Sequence, residues 1–300
     1  MSILINAKTR LLIQGITGNE GSRVCVDMLS YGTRIVAGVT PGKGGIEVEG
    51  VPVYNSVAEA KKNHREINCS LIVVPARFVR DAAEEAIGAK IPLVVILTEH
   101  VPTLDTAWII ARARKNGTRI VGPSSIGIIS PGESKVGAIG IGAMVRAYTP
   151  GPIGLISKSG GMTSEIALAL TNAGFGQSTA IGAGADVLAG SDFSDIFALF
   201  AKDEKTKAVV MFGEIGGTAE ERVADFIRTS RFKKPVVALI AGNFGSRLPK
   251  DTVLGHAGAI VSQGQGSYAS KISALKSAGV LIANHVEEIP AILTRALKKT

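Results

Sequence analysis

One repeated pattern limits what this chain can fold into. A short apolar run ends in a glycine-rich turn, and a helix-like stretch follows. Leu11-Leu12-Ile13 enters Gln14-Gly15-Ile16-Thr17-Gly18-Asn19-Glu20-Gly21, a helical pattern continues to Tyr31, and another apolar run spans 34–39. Short buried runs alternating with helices read as β-α-β units, which fold as parallel sheets covered by helices. The turn after such a strand aims helix N–H groups at a site where phosphate can be held. Its glycines are spaced G-x-x-G-x-x-G, not the G-x-G-x-x-G of dinucleotide sites. The second run leads into Thr40-Pro41-Gly42-Lys43-Gly44-Gly45, where a nicotinamide enzyme would usually offer an acid to the ribose hydroxyl. A lysine among glycines suits another phosphate, which favours a phosphate-rich nucleotide such as coenzyme A over NAD. For either loop alone, glycines that only form turns remain the competing reading.

The alternation continues. Ser56 and Glu59 have the spacing of a capping box, 69–74 reads as a third strand, 78–88 as a helix and 93–97 as a fourth strand. Thr98-Glu99-His100 then sits at a strand's carboxyl end, where open parallel sheets bind ligands. A helix over 103–116 stops at Gly117, Trp108 on it reads as core, and 119–121 is a fifth strand. The stretch to 150 is glycine-containing and runs into Thr149-Pro150-Gly151-Pro152, which reads as a linker. A second alternation opens at 153–156 and enters Ser157-Lys158-Ser159-Gly160-Gly161 before a helix over 162–173. Hydroxyls and glycines there make an anion nest or, on the plainer reading, a simple N-cap. A strand over 208–212 ends in Gly213-Glu214-Ile215-Gly216-Gly217, whose carboxylate either orients a neighbouring histidine or favours a helix dipole. Strand 236–240 follows, then helix 270–278, strand 280–282 and helix 286–298.

Composition narrows the classes. Hydrophobic residues at 46% supply a core, and 33 basic against 25 acidic residues give a charge of +8. The basic residues are scattered and aromatics are only 5%, so nucleic acid is not the expected partner. Cys25 and Cys69 read as core positions of a reduced protein. There is no signal-peptide pattern and no run of membrane-spanning length, so a cytoplasmic protein off the membrane is expected. His64, His100 and His285 are scattered, and no metal site is read from them.

The fourth histidine differs. Gly255-His256-Ala257-Gly258-Ala259 leaves an imidazole without bulky neighbours, and imidazole can carry a group covalently. An isolated histidine in such a turn would more simply bond a backbone carbonyl. Taken together, Gly-His-Ala-Gly-Ala, Gly-Glu-Ile-Gly-Gly, the opening Gln-Gly-Ile-Thr-Gly and Thr-Pro-Gly-Lys-Gly-Gly closely resemble the α subunit of succinyl-CoA synthetase over essentially the whole chain. The resemblance implies a Rossmann-like CoA-binding domain over 1–125 and a flavodoxin-like ligase domain over 151–300, joined by the 126–150 linker. It implies His256 as the phosphorylated residue and Glu214 as the residue orienting it. Thr17, Gly18, Asn19 and Glu20 match the turn that holds CoA, with Lys43 at its phosphates and Leu97, Thr98 and Glu99 as a second contact. Ser157, Ser159, Gly160 and Gly161 match the turn facing the phosphohistidine. A separate ATP-grasp β subunit, holding ATP or GTP with Mg2+, is implied as partner in an αβ or (αβ)2 assembly.

Some motifs depart from that family. Ser159-Gly160-Gly161-Met162-Thr163-Ser164-Glu165 stands where succinyl-CoA synthetases usually read Ser-Gly-Thr-Leu-Thr-Tyr-Glu, so Gly161 and Ser164 remove bulk beside the acid. Gly122-Pro123-Ser124-Ser125-Ile126-Gly127 replaces Gly-Pro-Asn-Cys-Pro-Gly, and the loop over 243–254 is longer than usual. These features are similar to citryl-CoA synthetase and ATP-citrate lyase. The expected acid is therefore citrate before succinate, with malate or another dicarboxylate as a further option. Rivals are a nicotinamide dehydrogenase, opposed by the glycine spacing and Lys43, and a non-catalytic CoA-binding module, opposed by the pairing of His256 with Glu214.

Overall fold

The computed structural model describes residues 2–243 and 266–298. Its first sheet contains β1 (Leu11–Gln14), β2 (Ile35–Val39), β3 (Glu47–Val48), β4 (Val51–Tyr54), β5 (Cys69–Ile72), β6 (Leu93–Ile96) and β7 (Arg119–Val121), ordered β3-β4-β2-β1-β5-β6-β7. Only β3 pairs antiparallel. Without that edge strand the order is the doubly wound 3-2-1-4-5-6 of the Rossmann fold. Helices α1 (Asn19–Ser30), α2 (Val57–Asn63), α3 (Val79–Gly88) and α4 (Thr103–Asn116) connect the strands. The helix α1 buries Gly21, Val24, Cys25 and Met28, one stripe at helical spacing. Gly117 ends α4 in the left-handed conformation, as expected of a C-terminal glycine. Ser56 caps α2 through the Glu59 N–H, but the Glu59 carboxylate reaches back to the Asn55 N–H, so only half of a capping box forms. Trp108 is half-buried rather than core, with the Arg80 guanidinium 4.6 Å from its ring.

The second sheet contains β8 (Gly127–Ser130), β9 (Ser134–Gly137), β10 (Pro150–Ser157), β11 (Gln177–Gly182), β12 (Ala208–Glu214), β13 (Val236–Ala241) and β14 (Leu281–Ala283), ordered β14-β13-β12-β10-β11-β8-β9. Counted from β10, its five parallel strands run 2-1-3-4-5, the flavodoxin order. Helices α5 (Gly160–Asn172), α6 (Phe193–Lys202), α7 (Ala219–Ser230), α8 (Tyr268–Ser277) and α9 (Glu288–Leu297) cover it. Phe197 and Phe200 are fully buried, and a Cβ on Gly154 of β10 would lie 2.6 Å from the Phe200 ring. That close approach is why β10 carries glycine in mid-strand.

The segment 126–150 is not the expected linker. The β8–β9 hairpin adds antiparallel to β11 and extends the second sheet. Its glycines mark close approach: a Cβ on Gly127 would stand 2.0 Å from the Val136 carbonyl oxygen. The hairpin also clasps the first unit, because the Thr33 hydroxyl donates to the Lys135 carbonyl and the buried Lys135 ammonium pairs with Asp27 of α1. The sequence pattern also passed over β11, α6 and α7. β11 is fully buried yet reads Gln177-Ser178-Thr179, and its polar groups are satisfied at long range, as in the 2.6 Å bond between the Ser178 and Thr206 hydroxyls.

Candidate functional site

The opening turn is a tight fit of backbone against backbone. Gly15 has φ +89°, and a Cβ on it would lie 2.7 Å from the Val73 carbonyl oxygen. A Cβ on Gly21 would lie 2.1 Å from the Gly15 oxygen. Glycine at both places lets α1 begin directly under the turn. Gly18 is the N-cap and supplies no side-chain acceptor, so no side chain blocks the first-turn N–H groups of Asn19, Glu20 and Gly21. The Thr17 hydroxyl lies 3.2 Å from that of Thr40, which joins this turn to the Lys43 loop. Asn55 fastens that loop by accepting from the Gly42 and Gly44 N–H groups, and Lys43 stays exposed. Glu20 is exposed and bidentately paired with Arg23. An open helix N-terminus beside an exposed lysine is suited to holding phosphate groups.

Leu97, Thr98 and Glu99 leave β6 at the same edge of the sheet. The Thr98 hydroxyl donates to the Val74 carbonyl at 2.7 Å, and Glu99 is exposed. This is where the two units meet. Ser124 N–H donates to the Thr98 carbonyl, and the Ser125 hydroxyl donates to the Gly182 carbonyl at the end of β11. Ile126 wedges between α5 and β11, since its side chain would lie 2.4 Å from a Cβ on Gly160 or on Gly182. Asp186 shares this junction with Ser124, His100 and Glu99, and burial holds its carboxyl above the usual range against the Ser124 hydrogen bond.

At the carboxyl end of β10 the expected hydroxyls shape the turn. Ser157 is buried and its Oγ both accepts from the Ser159 N–H and donates to the Ser159 carbonyl. Ser159 caps α5. Gly161 is exposed, with no atom within 4 Å of where a Cβ would stand. Ser164 is different: its hydroxyl lies 3.0 Å from that of Tyr148, whose phenol burial pushes up to about 12. Glu214 closes β12, the strand paired with β10, and is 8% exposed. A cleft of about 590 Å³ lies at this edge, lined by Met162, Phe212, Leu239, Asn243, Tyr268 and His285 among others. His256 and residues 244–254 of the long loop lie outside the described residues. No cluster of metal-ligating side chains occurs among the described residues.

Sequence reasoning missed the charges beneath this edge. Glu220 in the first turn of α7 is fully buried, pairs with Lys158 at 3.0 Å and with Lys271 of α8, and accepts from the Glu214 N–H at 3.2 Å. Lys158 stood inside a motif already singled out, but nothing local marks its partner.

Comparison with known proteins agrees with this two-part geometry. Residues 6–100 match the family described as CoA binding domain, and residues 156–281 match that described as CoA-ligase. The fold and site thus define a CoA-binding unit joined to a CoA-ligase unit. A protein of Methanothermobacter thermautotrophicus named succinate–CoA ligase [ADP-forming] subunit alpha is 47% identical over 97% of both chains. An Archaeoglobus fulgidus subunit alpha 1 of the same name is 45% identical over 99% of both, and a Staphylococcus epidermidis one is 44% identical over 100% of this chain and 96% of its own. The chain belongs to the succinate–CoA ligase α-subunit family, and is a subunit of an acid–thiol ligase. Among solved structures, a Methanosaeta concilii ATP citrate lyase in complex with (3S)-citryl-CoA superposes with TM-score 0.91 at 23% identity over 99% of this chain. This chain spans about half, 51%, of that one. A Ca. Korarchaeum cryptofilum dinucleotide-forming acetyl-coenzyme A synthetase superposes with TM-score 0.72 at 21% identity over 94% of this chain and 59% of its own. At such identities the likeness is one of fold. No described helix is long and apolar enough to cross a membrane.

Proposed function

We propose that this chain is the CoA-binding, phosphohistidine-bearing subunit of an NTP-dependent succinate–CoA ligase. The observation carrying this reading is the near-full-length likeness, at 44–47% identity, to proteins named succinate–CoA ligase subunit alpha. The order of acids expected from the sequence is therefore reversed, with succinate ahead of citrate. The Ser164 hydroxyl is itself engaged by Tyr148. Only Gly161 borders open space.

In this reading a ring nitrogen of His256 attacks the γ-phosphorus of ATP or GTP, and the nucleoside diphosphate leaves. A succinate carboxylate oxygen then takes the phosphoryl group and frees the imidazole. The CoA thiolate attacks the acyl carbon and expels phosphate. Thr17, Gly18, Asn19, Glu20 and Lys43 hold CoA, with Leu97, Thr98 and Glu99 along its path to the junction with the second unit. Glu214 orients His256, and the α5 N-terminus, with Ser157, Ser159, Gly160 and Gly161, faces the phosphoryl group as it develops charge. Nucleotide and Mg2+ are assigned to an ATP-grasp β partner, in an αβ or (αβ)2 assembly. The test is the complex with its partner, supplied with ATP or GTP, Mg2+, CoA and either succinate or citrate. Succinyl-CoA identified by mass is expected; citryl-CoA alone would overturn the acid, and an unphosphorylated His256 would overturn the mechanism.

A further inference from the structure

Three charged side chains are fully buried among the described residues: Lys135, Glu220 and Lys271. Two of them meet under the edge of the second sheet. The Glu220 carboxylate pairs with Lys158 Nζ at 3.0 Å and with Lys271 Nζ, and accepts the Glu214 backbone N–H. Lys271 Nζ also donates to the Gly217 carbonyl at 3.0 Å and pairs with Glu221 at 3.1 Å. Two ammonium groups thus face two carboxylates. Buried charge of this kind is poor value as a stability device, since desolvation cancels most of the attraction. What a fully satisfied network does supply is one fixed geometry.

The backbone has been shaped to admit it. A Cβ on Gly213 would lie 2.5 Å from Glu220 Oε1, so glycine before Glu214 is what lets the carboxylate reach the strand end. Gly216 N–H donates to the Gly266 carbonyl, and a Cβ on Gly266 would lie 2.6 Å from the Gly217 oxygen. The network therefore ties together the turn before α5, the turn carrying Glu214 and the first helix after residue 265. The first two are segments that the proposed phosphoryl transfer uses.

We infer that Glu220 is a positioning residue of this ligase, holding Glu214 and the α5 turn in register for phosphoryl transfer through Lys158 and Lys271. The inference rests on the function proposed above. Misplacing a reacting group by about 1 Å can cost on the order of a hundredfold in rate. Glu220→Gln keeps the shape and leaves the two ammonium groups facing one carboxylate. The experiment follows phosphorylation of His256 by NTP in the αβ complex, by mass, for the parent, E220Q, E214Q and the double variant. E220Q is expected to slow phosphorylation at least about tenfold, while CoA binding, which uses the first sheet, stays as in the parent. The double variant is expected to fall well short of the product of the two single losses, because part of what Glu220 does runs through Glu214. Independent, multiplying losses would make Glu220 merely structural and overturn the inference, as would a normal E220Q rate. If E220Q fails to fold, Lys158→Met decides: its loss should fall short of multiplying with that of E214Q, and Lys158→Arg should recover most of it. A parent complex that is never phosphorylated would instead sink the proposed function, which separates the two failures.

Discussion

The third glycine of the opening turn offers a direct test of the CoA site. In Gly21→Ala the new Cβ would lie 2.1 Å from the Gly15 oxygen, 2.8 Å from its carbonyl carbon and 2.9 Å from Ile16 Cα. All three are backbone atoms, so no side-chain rotation relieves the overlap. Ordinary contact begins near 3.4 Å, and α1 must therefore draw back from the turn by more than 1 Å. Alanine within a helix normally gains about 0.5–1 kcal/mol over glycine, whereas overpacking costs about 1–3 kcal/mol. A net destabilisation of about 1–2 kcal/mol is expected from these two terms. Binding suffers more. A shift of about 1 Å stretches hydrogen bonds from about 2.9 Å to beyond 3.5 Å, and each bond to a charged group contributes about 1.5–3 kcal/mol. Losing two should weaken CoA by at least about a hundredfold. Calorimetric titration of CoA into the αβ complex measures this, with the thermal midpoint followed in parallel. Gly32→Ala is the control: φ is +91° but nothing lies within 4 Å, so it should lose about 1–2 kcal/mol of stability to strain and leave CoA affinity alone. A Gly21→Ala complex binding CoA within about twofold of the parent would refute the phosphate-holding turn.

Phe200→Ala removes a fully buried ring from against Gly154 and should cost about 3–5 kcal/mol by denaturant unfolding. Lys135→Met leaves Asp27 without its ammonium partner between the two units, so a loss of about 3–5 kcal/mol is expected; adding Asp27→Asn should restore part of it, and full additivity would argue against the pair. Burial pushes the Cys25 thiol up to about 11 and Cys69 higher still. Both should resist iodoacetamide at pH 8 in the native protein and react once it is denatured. The sign for stability follows, since unfolded thiols ionise near pH 8.5 while Cys25 keeps its proton to about 11. Stability from this thiol is complete below the unfolded value and falls as pH rises toward the folded one.

Most parallel strands of both sheets were legible because parallel strands buried on two faces are continuous apolar runs, and their ligand turns announce themselves with glycine; the short β3 and β4 were not read. β11 escaped because burial there is bought by pairing hydroxyls and an amide across the fold, which leaves Gln177-Ser178-Thr179 looking like a loop. The β8–β9 hairpin escaped for a related reason. Its strands are four residues each, and Gly127 and Gly137 are needed for backbone contact, not for flexibility. Glycine density alone could not distinguish the two cases.

The site divides along the same line. Gly15, Gly18 and Gly21 are readable because their constraint is local: the chain must turn and start a helix within seven residues. Ser164 is harder to read, because its hydroxyl is engaged by Tyr148, sixteen residues earlier in sequence. Glu220 is the extreme instance, since its partners come from the turn after β10, from β12 and from α8, and Lys271 lies 51 residues away. By local pattern alone, Ala219-Glu220-Glu221 would pass for an ordinary acidic helix start, favoured by the dipole and exposed. Burial reverses that reading: a carboxylate with no access to water must answer to the charges around it. Here those charges are Lys158 on the turn before α5 and Lys271 on α8, and the same carboxylate holds the Glu214 N–H at the end of β12.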